Sequence, residues 1–174
     1  MTLITRRHDD GDRASEAVYS ECERYRYTLT RVWDGAARRL LYIMLNPSKA
    51  TELANDPTIE RCERRARALG YGGFRVCNLF ALRETDPARL KRARRPEGPD
   101  NWAEIEKALQ WTDDVLCAWG VHGDHRDQAA RLAPLLAAGS KPLLTLGLTK
   151  AGHPRHPLYI SYKVQPTHWI PQAG

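Results

Sequence analysis

The stretch from Leu40 to Phe80 constrains the fold more than any other. An apolar run, Leu40-Leu41-Tyr42-Ile43-Met44-Leu45, stops at Asn46-Pro47-Ser48, and a second, Phe74-Arg75-Val76-Cys77, stops at Asn78-Leu79-Phe80. Between them Asp56-Pro57-Thr58 starts a helix, with Asp56 able to cap and Pro57 at the first helical position. Ile59, Cys62, Ala66 and Leu69 fall on one helical face, the arginines at 61, 64, 65 and 67 fall on the others, and Gly70 stops the helix. Two strands joined by a helix make a βαβ unit with a right-handed crossover. In open α/β sheets ligands bind beyond the carboxyl ends of the strands. Here each strand ends in an asparagine, able both to donate and to accept.

The flanking chain extends this unit. Arg24–Trp33, rich in aromatic and β-branched residues, reads as a strand, and Asp34-Gly35 turns it into the Leu40–Leu45 strand as a hairpin. Downstream the pattern predicts a helix over Asn101–Trp111, a buried strand over Val115–Gly120, a helix capped by Asp124 and closed by Gly139, and a last parallel strand over Lys141–Gly147. Ala81–Asp100 reads as a long irregular loop. The expected fold is therefore α/β: a single three-layer domain over 18–174, with a mainly parallel sheet and an N-terminal antiparallel edge hairpin. Residues 1–17 read as a flexible N-terminal extension.

With 174 residues, 42% of them apolar, the chain can bury one core without staples. Its four cysteines stand singly, which argues against a zinc ribbon or a disulfide scaffold and for a reducing cytoplasm. The expectation is no metal and no cofactor. The first ten residues lack the apolar region of a signal peptide, and no apolar run is long enough to span a bilayer, so no membrane is expected. The net charge of +6 suits a polyanionic partner, DNA or another nucleic acid or a nucleotide. An arginine-rich composition without binding significance accounts for the same charge. Nothing in the residues sets an oligomeric state.

If the sheet is parallel, four strand ends open onto one rim: Asn46-Pro47-Ser48-Lys49, Asn78-Leu79-Phe80, Trp119-Gly120-Val121-His122 and Leu146-Gly147-Leu148-Thr149-Lys150. Base binding is assigned to Asn78, Phe80, Ser48 and Trp119, and phosphate binding to Lys49, Lys150, Arg92, Arg94 and Arg95. Each has a quieter explanation. Asn46 and Ser48 cap turns equally well, and the basic run Arg89–Arg95 suits a solvated face.

The set Met44-Leu45-Asn46-Pro47-Ser48-Lys49-Ala50, Asp56-Pro57-Thr58, Asn78-Leu79-Phe80-Ala81, Ala118-Trp119-Gly120 and the stretch Leu146–Tyr159 resembles the uncharacterised bacterial and phage domain-of-unknown-function family 1643. The layout is more distantly similar to the uracil-DNA glycosylase superfamily. Leu45-Asn46-Pro47 matches its first motif, Asn78 its base-reading asparagine, Leu146-Gly147 a later strand end and His156-Pro157 its His-Pro loop. Met44 and Leu158 depart from that pattern. The resemblance implies a glycosylase-like protein, hydrolysing an N-glycosidic bond to a base in DNA or in a nucleotide. Asn78 would read the base. His156 would hydrogen-bond the leaving base. Asn46 would orient water, and Asp56 is the nearest carboxylate for a catalytic base. Two alternatives stand beside it: a non-catalytic nucleic-acid-binding or base-sensing module, and an enzyme acting on a small soluble nucleotide.

Overall fold

The computed structural model describes residues 2–171. One eight-stranded sheet organises them, with strands β1 (Leu3–Asp9), β2 (Ala14–Ser20), β3 (Arg26–Val32), β4 (Arg39–Met44), β5 (Gly73–Asn78), β6 (Asp114–Cys117), β7 (Leu143–Thr145) and β8 (Thr167–His168). Their spatial order is β1-β2-β3-β5-β4-β6-β7-β8. The helices are α1 (Pro57–Ala68), α2 (Pro87–Arg92), α3 (Asn101–Trp111) and α4 (Gln128–Ala138).

Two apolar clusters cover the two faces of the sheet. On one, Ile59, Cys62 and Ala66 of α1 pack on Leu40, Tyr42, Phe74 and Val76. On the other, Ile105 and Ala108 of α3 and Leu132 and Leu136 of α4 pack on Leu41, Ile43, Cys77 and Cys117. β4 is apolar on both faces because it lies inside the sheet with a helix layer on each side. The arrangement is a mixed α/β domain in three layers.

Three expectations need correction. The sheet is not mainly parallel: β5, β4, β6 and β7 are parallel neighbours, but four of the seven pairings among the described residues are antiparallel. Short turns join β1 to β2 and β2 to β3, and a short turn can only reverse a strand, whereas helical crossovers return it parallel. Residues 3–20 are not a loose extension but the two outer strands of that antiparallel meander. The charges of β1 suit an exposed edge strand, which blunts edge-to-edge association. Finally, β3 and β4 do not form a hairpin, and β3 is not at the edge. β5 inserts between them, antiparallel to β3 and parallel to β4. Gly72 permits that insertion, because a Cβ there would lie 2.0 Å from the Asp34 carbonyl oxygen. That carbonyl belongs to the loop leaving β3, whose Trp33 and Asp34 N–H groups both donate to Gly72 O.

Smaller differences follow from local chemistry. Part of the expected 81–100 loop is α2, started by Asp86, whose side chain accepts from Ala88 N, and by Pro87. Asp124 makes no capping bond, and α4 begins after Asp127. Among the described residues no helix is long and apolar enough to cross a membrane.

Candidate functional site

Beyond the carboxyl ends of β4 and β6 lies a cavity of about 380 Å³ lined by Asn46, Ser48, Asp56, Trp119 and His156, together with Arg26, Thr58, Glu84 and His122. Five residues singled out from sequence therefore meet at one place, brought there by parallel strands and the loops that follow them.

The loop leaving β4 is held from both sides. The Asn46 amide nitrogen donates to the carbonyls of Pro47, Leu82 and Glu84, at 3.1, 3.2 and 2.6 Å. Three acceptors around one end fix the amide's orientation, so Oδ1 is the end left to accept from a ligand or water. Glu84 N in turn donates to Pro47 O. Asp56 caps α1 by accepting from Ile59 N at 2.9 Å, and its second oxygen accepts from Lys49 N and Ala50 N. Three of its roughly four acceptor sites are thus taken by backbone. This gives Asp56 the work of a cap and loop anchor on the cavity wall.

His156 hangs over the strand ends because its loop is stitched to them. Gly120 N donates to Pro154 O at 2.8 Å, and Arg155 N donates to Gly147 O at 2.9 Å. Gly120 has a φ of +76° and would place a Cβ 3.5 Å from that of His156, so it serves both the turn and the close approach. Leu158 N donates to His156 Nδ1 at 3.2 Å. An imidazole accepting at Nδ1 is neutral and carries its proton on Nε2. Burial also holds the His156 pKa below the usual 6.5, against the opposing pull of the Asp56 charge. At neutral pH His156 is an uncharged N–H donor. Burial and then the charge of Lys91 lower His122 as well, so the basic face of α2 is felt at the cavity.

Other assigned residues sit elsewhere. Asn78 is 1% exposed, and neither polar atom of its amide has a partner. It is the in-register neighbour of Met44, which lines the cavity, so the buried amide lies beside the wall rather than in it. Phe80 is not brought to the cavity: it is fully buried in the opposite core and packs against His125. Lys49 and Lys150 are exposed and do not line the cavity. Arg92, Arg94 and Arg95 are exposed too, and the latter two line a separate hollow with Arg24 and Tyr25. Their backbone is pinned, since Arg126 donates to Ala93 O and Arg94 O and the Tyr25 hydroxyl donates to Arg95 O. Replacing Arg92, Arg94 and Arg95 by Ala should therefore weaken any DNA binding without unfolding the segment. The logarithmic salt slope should flatten by about 0.9 for each phosphate no longer neutralised. An unchanged slope in a filter-binding titration would leave them as a solvated face.

The sequence reading missed Arg26 and Glu84. Arg26 reads as an ordinary strand residue, but it is 1% exposed and lines the cavity. Burial pushes its pKa down to about 10, opposed by the charge of Asp56. Glu84 lies in a stretch without periodicity. Its Oε2 accepts from the N–H groups of both Thr85 and Asp86, which leaves Oε1 without a protein donor among the described residues.

Fold and cavity together define a three-layer α/β protein with a partly enclosed pocket of mixed polar and apolar lining at the ends of its parallel strands. The chain belongs to the family described as a protein of unknown function (DUF1643), whose model matches residues 26–158. That span reaches from Arg26, which lines the cavity, to Leu158, which also lines it. No curated protein matches the chain. Among solved structures it is similar to one described as a "Putative hydrolase from Agrobacterium vitis S4", at 12% identity and a TM-score of 0.39. The match covers 82% of this chain but 50% of that one, so the chain spans half the length of that structure.

Proposed function

We propose that the cavity hydrolyses the N-glycosidic bond of a base, presented in DNA or in a nucleotide, in the manner of a divergent uracil-DNA glycosylase-like protein. The observation that carries this reading is His156: a neutral imidazole with Nδ1 occupied, which presents Nε2–H as a donor in a cavity of base-admitting size. Such a donor stabilises the negative charge that develops on a leaving base without first having to lose a proton. In the proposed step the C1′–N bond breaks with its electron pair passing to the base, and water oxygen bonds to C1′. Asn46 Oδ1 orients that water, and the free oxygen of Glu84 takes its proton. Glu84 is itself held by the loop that Asn46 anchors. The unpartnered amide of Asn78 supplies the polar edge that reads the base, reached through a small movement of the adjoining wall. The four unpaired thiols support placement in a reducing cytoplasm.

A non-catalytic base-sensing module is the second reading, favoured by the way Asn46 and Asp56 are tied into backbone hydrogen bonds. Asn78→Ala separates the two when binding and base release are measured on the same panel of modified oligonucleotides and nucleotides. For an enzyme, discrimination between bases in the rate of release should fall by about 1–3 kcal/mol, roughly 5- to 150-fold. Tight, Asn78-dependent binding with every substrate left intact would select the sensing module instead.

A further inference from the structure

Arg26 lines the cavity, yet its guanidinium meets a single protein acceptor. Nη1 donates to Ala50 O at 2.9 Å, Nε has no partner, and among the described residues no carboxylate pairs with it. Nε is itself buried, so Nη2 is the donor left to meet an anionic oxygen of a carboxylate or phosphate in the cavity. A buried cation without a counter-charge is costly, so its retention needs a cause. The Asp56 charge offsets part of that cost, but among the described residues no wall acid pairs directly with the guanidinium. Both Asp56 oxygens and one Glu84 oxygen accept from backbone N–H groups. Beside Arg26 the cavity offers the hydroxyls of Ser48 and Thr58 and the Nε2–H of His156. These donors can join Arg26 in holding an anionic oxygen, while Asn46 Oδ1 and Glu84 Oε1 remain free acceptors in the same cavity.

We infer that Arg26 is the binding site for an anionic oxygen on the part of the ligand that enters the cavity. Because Arg26 is 1% exposed, the backbone of a polymer left at the cavity mouth does not reach it. The oxygen therefore comes from the terminal phosphate of a small nucleotide or from the ionised edge of the base itself. This choice of ligand class rests on the proposed glycosidic reading, whereas the anion site does not.

The test is calorimetric titration of the folded protein with inorganic phosphate, a nucleoside 5′-monophosphate and 5-fluorouracil, the last between neutral and mildly alkaline pH. The wild type should bind at least one of them, and Arg26→Met should weaken that binding at least tenfold. Arg26→Lys, which keeps the charge and loses Nη2, should recover only part of it. Ser48→Asp places a carboxylate on the wall with Arg26 intact and should also weaken binding, so the outcome does not depend on how Arg26→Met folds. Phosphate and monophosphate binding that depends on Arg26 identifies a terminal phosphate. Fluorouracil binding that rises with pH and depends on Arg26 identifies the base oxygen. No binding of any probe, or equal binding by all four proteins, overturns the inference. Arg26-dependent anion binding without base release would remove the glycosidic reading and keep this one.

Discussion

Glu84→Gln should leave the fold and substrate affinity close to wild type while lowering kcat by roughly 10²- to 10⁴-fold, the usual worth of a general base. The amide still offers an oxygen to the N–H groups of Thr85 and Asp86, so the loop keeps its shape. What it loses is the ability to accept a proton from water. A fall in kcat with KM unchanged marks an interaction used only along the reaction path. A rise in KM at constant kcat would make Glu84 a binding residue and leave the water unactivated.

His156→Ala should cost about 10²- to 10³-fold in kcat, the range found when one donor to a developing anion is removed. The sign of the pH dependence separates a neutral donor from an imidazolium. Burial lowers the folded-state pKa below 6.5, so the neutral form prevails at pH 7 and the rate should be level there. The rate should fall as acid protonates Nδ1 and breaks its bond from Leu158 N. Stability moves the same way. Below about 6.5 the unfolded chain takes up the proton before the folded one, so this residue's contribution is present above that pH and is lost as pH falls through the lowered value. A rate that climbs toward acid in a kcat profile would show a charged imidazole at work.

What sequence reveals here divides along physical lines. The β4–α1–β5 unit was legible because each boundary has local chemistry: an apolar run, Asp56-Pro57 at the helix start and an asparagine at each strand end. Parallel order at those ends brought Asn46, Ser48, Asp56, Trp119 and His156 to one cavity. The β3–β5 pairing was not legible, since it joins segments more than forty residues apart and depends on the close approach at Gly72. β1 escaped notice because an exposed edge needs no apolar alternation, and β2 because its short run Ala14–Ser20 mixes small, polar and apolar residues although it is largely buried between β1 and β3. Phe80 was misplaced because alternation of faces holds only within a strand. β5 ends at Asn78, and beyond it the chain turns Phe80 to the other core. Arg26 and Glu84 carry no local signal, because only the tertiary arrangement shows which hydrogen bonds their side chains lack.

Cleavage of an N-glycosidic bond at this cavity is tested most simply by chromatographic detection of free base released by the wild-type protein. The substrates are oligonucleotides carrying deaminated or modified bases and the matching free nucleotides. The expected result is at least one released base, an abasic or ribose-type product in equal amount, and disappearance of both with Glu84→Gln and His156→Ala. Every substrate recovered intact at protein concentrations above the measured Kd would contradict it.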